Sequence, residues 1–383
     1  MNKYNTLLGQ LLSLVNRSEF NKLVNKTESD KYCKGFTTWE QFSVMLFAQI
    51  TNQNGLRSIE NSMNQNRNSF YHLGFTKDIK KSTLSYANNN RNSEVFEMLY
   101  YSILNTLSRG AVKKFRKNFC AIDATTIGLN MHDFSWAKFK STKSGIKVNV
   151  KYDVDNSIPE YLFITNANEH ENNTIKDMKL KKGDIVTFDK GYNNYEQFQS
   201  LTDQGIYFVT RLKDNARYTI VSRNTKKPKG ITSDQCIRFT GKLTSSKCNT
   251  KLRRIRVKDS ETGNAIILLT NIKDMTASKI SKMYRSRWQI ELFFKAIKQN
   301  LRIKKYYGKS ENAVKTQVWI ALITYLLYMK LKELCAGKNK NFTHFISELK
   351  VVIFQRTDLI RWFKNEVEYP PQKSNSLQQE FNF

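Results

Sequence analysis

The chain has 383 residues, 40% of them hydrophobic and 12% aromatic, enough for a sizeable core and two or three domains. Its 63 Lys and Arg against 33 Asp and Glu leave a net charge of +30, where a small domain typically carries about 2 to 8. That surplus points to nucleic acid as partner, through phosphate neutralisation and counterion release, with a merely solvated basic surface as the alternative. A secretory leader, a membrane span and a zinc site are not expected: the N-terminal apolar run is short and interrupted, VWIALITYLLYM (318–329) is too short for a bilayer, and Cys33, Cys120, Cys236, Cys248 and Cys335 are scattered. The expectation is a cytoplasmic, nucleoid-associated protein with reduced thiols and no membrane partner.

Residues 1–110 read as helices. TTWEQFSVMLFAQITNQNG opens with capping threonines, Thr37 with Glu40 and Thr38 with Gln41, and Gly55 stands where the helix should stop. A short helix follows over 56–66. Val95, Phe96, Leu99, Tyr100, Ile103, Leu104 and Leu107 then form one stripe of a helix running from Ser93 to Gly110. Short helices with basic, Asn-rich connections suit a DNA-binding domain, or a plain helical bundle.

From about residue 115 the period changes. NFCAIDATTIGL, IKVNVKYDV (146–154), YLFIT (161–165), DIVTFD (184–189) and IYFVTRL (206–212) read as strands, with helices around TIKDMKL and over 194–205. Three strands, then helix, strand, helix, strand is the order of a ribonuclease H-like α/β core, a mixed sheet flanked by helices. Residues 213–268 break into the short strands RYTIVSR, CIRFTG, LRRIRV and AIILLT. Residues 212–268 hold 14 Lys and Arg against 4 Asp and Glu, so this stretch reads as a basic β-rich insertion, one segment of which could belong to the core sheet. The core resumes over 269–335, and 336–383 forms a C-terminal helical segment ending in a frayed tail.

In YRSRWQIELFFKAIKQN (284–300) one carboxylate, Glu291, stands among cations. At about 100° per residue, Tyr284, Arg287, Glu291 and Lys298 share one narrow arc, while Met283, Ile290, Phe293, Phe294, Ile297 and Leu301 form an adjoining core face. Glu291 is either half of a solvated i,i+4 pair with Arg287 or Lys295, or a functional carboxylate. Asp123, inside a strand that should be buried, and Asp189, at a strand end before a glycine turn, could join it. Their plainer roles are bonds to neighbouring amides and helix capping. Asp153, Asp155, Asp184 and Asp203 are expected in polar turns or on exposed faces. Three carboxylates on two strands and one helix could hold two Mg²⁺ ions for in-line attack on a phosphodiester, without histidine or nucleophilic serine.

Tyr284, Arg287, Glu291 and Lys298 match the pattern Y-(2)-R-(3)-E-(6)-K. With AIDATTIG and FDKGYNNY, they make the chain resemble insertion-sequence transposases of the DDE type, family four, over most of residues 15–335. FNKLVNKTESDKYCKGFTTWEQFSVMLFAQIT resembles the helical domain preceding the core in one branch. The resemblance implies Asp123, Asp189 and Glu291 as catalytic metal ligands for two Mg²⁺, with Mn²⁺ able to substitute. It implies phosphate contacts from Tyr284, Arg287 and Lys298, and a homodimer on double-stranded DNA, because two element ends need two sites. It further implies a hairpin intermediate with a flipped base on an aromatic ring. The insertion lacks tryptophan, so Tyr207, Phe208, Tyr218 or Phe239 could substitute, or the stacking could be done elsewhere; Trp288 beside Arg287 is either a stacking ring or a packing one. A structure-specific nuclease on the same fold, and a non-catalytic DNA-binding repressor derived from a transposase, are the alternatives.

Overall fold

The computed structural model describes residues 5–107, 118–141, 143–169, 174–225, 228–258, 263–336 and 340–367. Helices come first: α1 (Leu7–Leu12), α2 (Arg17–Lys26), α3 (Thr38–Ile50), α4 (Leu56–Gln65), α5 (Phe70–Leu73), α6 (Lys81–Asn90) and α7 (Glu94–Thr106). The Thr37–Glu40 capping box forms, each residue satisfying the other's backbone N–H. Thr38 does not pair with Gln41; its hydroxyl donates to Asp30 Oδ1 at 2.7 Å. Gly55 does not end α3. Asn52, at φ 54°, turns the chain first, and Gly55 caps the start of α4 with its N–H bonded to the Ser58 hydroxyl. The helix expected to reach Gly110 ends at Thr106, and Gly110 itself lies outside the described residues.

Ten strands follow: β1 (Phe119–Leu129), β2 (Lys138–Lys140), β3 (Lys143–Asp153), β4 (Ile158–Asn166), β5 (Ile185–Thr187), β6 (Tyr207–Arg211), β7 (Tyr218–Arg223), β8 (Ile231–Phe239), β9 (Leu252–Lys258) and β10 (Ala265–Thr270). They form one sheet in the order β2-β3-β1-β5-β6-β10-β9-β8-β7, with β4 also on β3. Pairing is antiparallel except for β1–β5 and β5–β6. The helix α8 (Tyr195–Asp203) connects β5 to β6 and is closed by Gly205 at φ 68°, a conformation that suits glycine. The basic segments of 213–268 continue the same sheet, because β10 pairs with β6. A short helix, α9 (Lys242–Lys247), lies between β8 and β9.

The polar side of β3 is buried along with its apolar side. Lys147 donates to the Glu169 carbonyl at 2.7 Å, and Lys151 pairs with Glu160 (3.5 Å) and Asp184 (3.8 Å). Asp184 is therefore a buried ion-pair partner rather than an exposed turn residue; the lysine that draws it in comes from a strand distant in sequence. Behind the sheet, α12 (Glu311–Leu334) is buried along most of its length against α3, α6 and α7, followed by α13 (Phe342–Val352) and α14 (Leu359–Phe363). Leu322, Ile323, Leu326 and Leu327 on it are almost inaccessible, each contributing about 1.5–3 kcal/mol by burial. The run 318–329 is thus core, and no helix among the described residues is long and apolar enough to cross a membrane. One apolar cluster joins the N-terminal helices, α12 and a face of β1 and β3. All five cysteines are free thiols.

Candidate active site

The parallel register of β1 and β5 ends at Ala121 opposite Thr187. Two residues further on stand Asp123 and Asp189, both in extended backbone. Since side chains alternate along a strand, the two carboxylates leave neighbouring strands on the same side. Asp123 Oδ1 accepts the Ala124 N–H at 2.9 Å, so a bond to a neighbouring amide does exist. Asp189 precedes a single 3-10 turn, Lys190–Tyr192, but its side chain makes no capping bond.

The third carboxylate comes from a pair of helices, α10 (Ala277–Ser286) and α11 (Trp288–Asn300). The sequence suggested one continuous helix; at Arg287 it tightens to i→i+3 bonding, with Arg287 N–H to the Tyr284 carbonyl and Ile290 N–H to the Arg287 carbonyl. The predicted core face is realised, with Ile290, Phe293, Phe294, Ile297 and Leu301 all buried. Phe293 packs between Tyr152 of β3 (5.5 Å) and Tyr325 of α12 (5.0 Å between ring centroids). That packing seats α11 on the sheet and turns Tyr284, Arg287, Glu291 and Lys298 towards the ends of β1 and β5.

All four reach it. Arg287 Nη2 meets Glu291 Oε1 at 2.5 Å, and Nη1 lies 3.5 Å from Asp123 Oδ2. Tyr284 donates a long hydrogen bond, 3.5 Å, to Asp189 Oδ1, and the Arg287 guanidinium lies 5.8 Å from the Tyr284 ring centre. Lys298 Nζ donates to the Thr126 carbonyl of β1 at 3.1 Å. Burial works against the charge of Arg287, but Tyr284, Glu291 and Asp123 together hold its pKa above the ordinary guanidinium value. Burial pushes the Tyr284 hydroxyl up, with Arg287 opposing and Asp189 assisting, so the phenol stays a donor. Lys298 is drawn down, chiefly by burial and then by Lys304.

The donor set is all oxygen and anionic, which suits a hard divalent cation. Among the described residues no three His, Cys, Asp or Glu side chains converge on one point, and the guanidinium of Arg287 stands between Asp123 and Glu291. The carboxylates fit such an ion by chemistry, with Arg287 supplying the positive charge in this arrangement.

Of the aromatic rings considered for stacking, Phe208 and Phe239 are buried in the core and unable to meet a base. Tyr207 and Tyr218 are half-buried, Tyr218 under Arg254 at 5.4 Å. Trp288 is 58% exposed beside Arg287. Glu169 is exposed, and His170 and Glu171 lie outside the described residues. Arg211, at the end of β6, and Lys304 act electrostatically on Tyr284 and Lys298. Neither stood out in the sequence, where each is one cation among many.

Residues 114–327 match the family described as Transposase DDE domain, and the chain belongs to that family. Residues 3–76 match a second family, described as Domain of unknown function (DUF4372). The chain is 34% identical to a Sinorhizobium fredii protein named as transposase y4zB, over 64% of this chain and 69% of the relative. It is 27% identical to a Geobacillus stearothermophilus protein named as a transposase for insertion sequence element IS5377, over 61% and 62% of the two chains. A third relative, named for element IS4SA of Synechocystis, is 24% identical over 76% and 82%. In fold the chain is similar to the piggyBac transposase of a synaptic complex with hairpin DNA, solved by cryo-EM. The TM-score is 0.50 at 11% identity, covering 97% of this chain and 83% of the other.

Proposed function

We propose that this chain is the transposase of an insertion sequence of family four, cutting double-stranded DNA at terminal inverted repeats and joining the 3′-hydroxyl ends to target DNA. The observation that carries this reading is that Tyr284, Arg287 and Lys298 contact the strands bearing Asp123 and Asp189, with Glu291 paired to the same Arg287. The order β4-β3-β1-β5-β6, antiparallel to one side of β1 and parallel to the other, supports a ribonuclease H-like core.

Asp123, Asp189 and Glu291 would hold two Mg²⁺, or Mn²⁺ in their place. When bound, such ions activate the attacking water or 3′-hydroxyl and neutralise the leaving oxygen. Arg287 and Lys298 bind phosphate oxygens beside the cut. Tyr284, kept protonated, orients Asp189 through its hydroxyl. Residues 1–110 serve as the DNA-binding domain, and 213–268 as the basic insertion between the two parts of the core. Two ends require a homodimer on DNA. Trp288 remains the exposed ring beside the site for a base displaced in a hairpin intermediate.

The test is a duplex carrying the inverted repeat that flanks this gene, incubated with protein and Mg²⁺ or Mn²⁺ and resolved on a denaturing gel. Metal-dependent cuts at the repeat boundary are expected from wild type and not from Asp123→Ala, Asp189→Ala or Glu291→Ala, all of which still bind the duplex. A covalently closed end would establish the hairpin. Cuts that favour junctions over repeat ends would replace this reading with a structure-specific nuclease. Metal-independent binding without cutting under any condition would replace it with a repressor.

A further inference from the structure

The sheet places two basic surfaces on opposite sides of Asp123 and Asp189. On the β6 side lie β10, β9, β8 and β7, with Arg223, Arg238 and Arg256 exposed. On the other side β2 and β4 both lie beyond β3, and beside β2 the cations are lysines. Lys138 and Lys140 lie on β2, Lys143 begins β3, and Lys304, Lys305 and Lys309 follow α11; all six are exposed.

These lysines form one ridge. Trp136, just before β2, donates its indole N–H to the Lys309 carbonyl at 2.8 Å, and Phe134 meets Tyr306 edge-on at 6.0 Å. Lys304 lies close enough to Lys298 to lower its pKa, and Lys298 itself is bonded to β1, so the ridge begins at the candidate site. Among the described residues, ion pairing on the ridge is confined to Lys309 with Asp133, at 2.6 Å. Arg302, the arginine of this stretch, is turned away to Asn52 and Asn54. Lysines on an edge strand can also simply prevent edge-to-edge association. That role accounts for Lys138 and Lys140 but not for Lys304, Lys305 and Lys309, which belong to a loop.

Lysine is a hydrated point charge that binds phosphate without the planar fork with which arginine reads bases. A surface of lysines therefore suits DNA whose sequence varies from copy to copy. We infer that this ridge holds the duplex outside the element, flank before cutting and target afterwards, on the side of the scissile phosphate opposite β7–β10. The inference rests on the transposase reading above.

The experiment compares two duplexes: one whose repeat ends at the cut, and one extended by a flank of about two helical turns. Binding is measured across a range of salt for wild type, for Lys138→Ala/Lys140→Ala/Lys143→Ala, and for Lys305→Ala/Lys309→Ala, with circular dichroism to establish folding. Both variants should bind the flankless duplex as wild type does, and the flanked one about tenfold or more weaker. Their salt slope on the flanked duplex should fall by roughly 2 to 3, at about 0.9 for each phosphate that a lysine no longer neutralises. Unchanged binding to the flanked duplex would reduce the ridge to a solvated surface and overturn the inference. Equal losses on both duplexes would place the ridge on the element arm, which also overturns it. Wild-type protein that does not prefer the repeat over a scrambled duplex would overturn the transposase reading itself, and this assignment with it.

Discussion

Arg253 and Arg287 both sit among carboxylates, and their surroundings differ. On β9, each of the three guanidinium nitrogens of Arg253 has a partner. Nε and Nη2 grip Asp234 at 2.8 and 2.7 Å, and Nη1 reaches the Met275 and Lys273 carbonyls. That closed arrangement ties β8 and β9 to the segment entering α10. At the candidate site, Arg287 divides its guanidinium between Glu291 and Asp123, and its buried Nε finds no partner. A satisfied buried pair fixes a shape; a half-satisfied one, with partners drawn from two elements, is what a site that still has to bind something looks like. The contrast separates residues that hold the fold from residues held ready by it.

The largest effect that would sharpen this contrast is on chemistry. Asp189→Ala should bring DNA cleavage to background while leaving thermal stability almost unchanged, checked by gel assay and by melting. A large loss of stability would instead make Asp189 a structural residue. Next comes Arg253→Ala, which strands Asp234 at 2% side-chain exposure. It should cost about 3–5 kcal/mol in denaturant unfolding. Arg287→Ala should cost less, between the surface value of about 1 kcal/mol and that buried value, because Asp123 and Glu291 keep access to water. It should also increase the rise in melting temperature produced by Mg²⁺, since Arg287 competes for the same oxygens. Equal losses from the two arginine variants would break the comparison. Smallest is Thr37→Ala, far from both arginines, which removes half of the α3 capping box and should cost about 1 kcal/mol by the same measurement.

Local signals were legible in the sequence and long-range ones were not. The strand at β3, the capping box at Thr37 and the core face of the helix around Glu291 depend on neighbours within a turn or a strand, and each appears where the pattern put it. That Asp123 and Asp189 leave neighbouring strands on one side was not legible in either motif alone; it comes from the parallel register of β1 and β5, while Phe293 seats the helix that carries Glu291. What escaped depends on partners far away in the chain. Asp184 looks like a turn residue until Lys151 of β3 arrives. That one segment of 213–268 could join the core sheet was open in the sequence, and which one does so shows only where β10 pairs with β6. The helix through 284–300 looks continuous, and the tightening at Arg287 that divides α10 from α11 was not in the pattern.

We propose above that Asp123, Asp189 and Glu291 together hold the divalent cations. Calorimetric titration of Mn²⁺ into the protein bound to its repeat duplex tests it most directly, with wild type beside Asp123→Ala, Asp189→Ala and Glu291→Ala. The expected result is Mn²⁺ binding by wild type that each of the three substitutions weakens severely, with the duplex still bound. Binding of equal strength and stoichiometry in all four proteins would contradict it, and would leave Arg287 as the permanent counter-charge of Asp123 and Glu291.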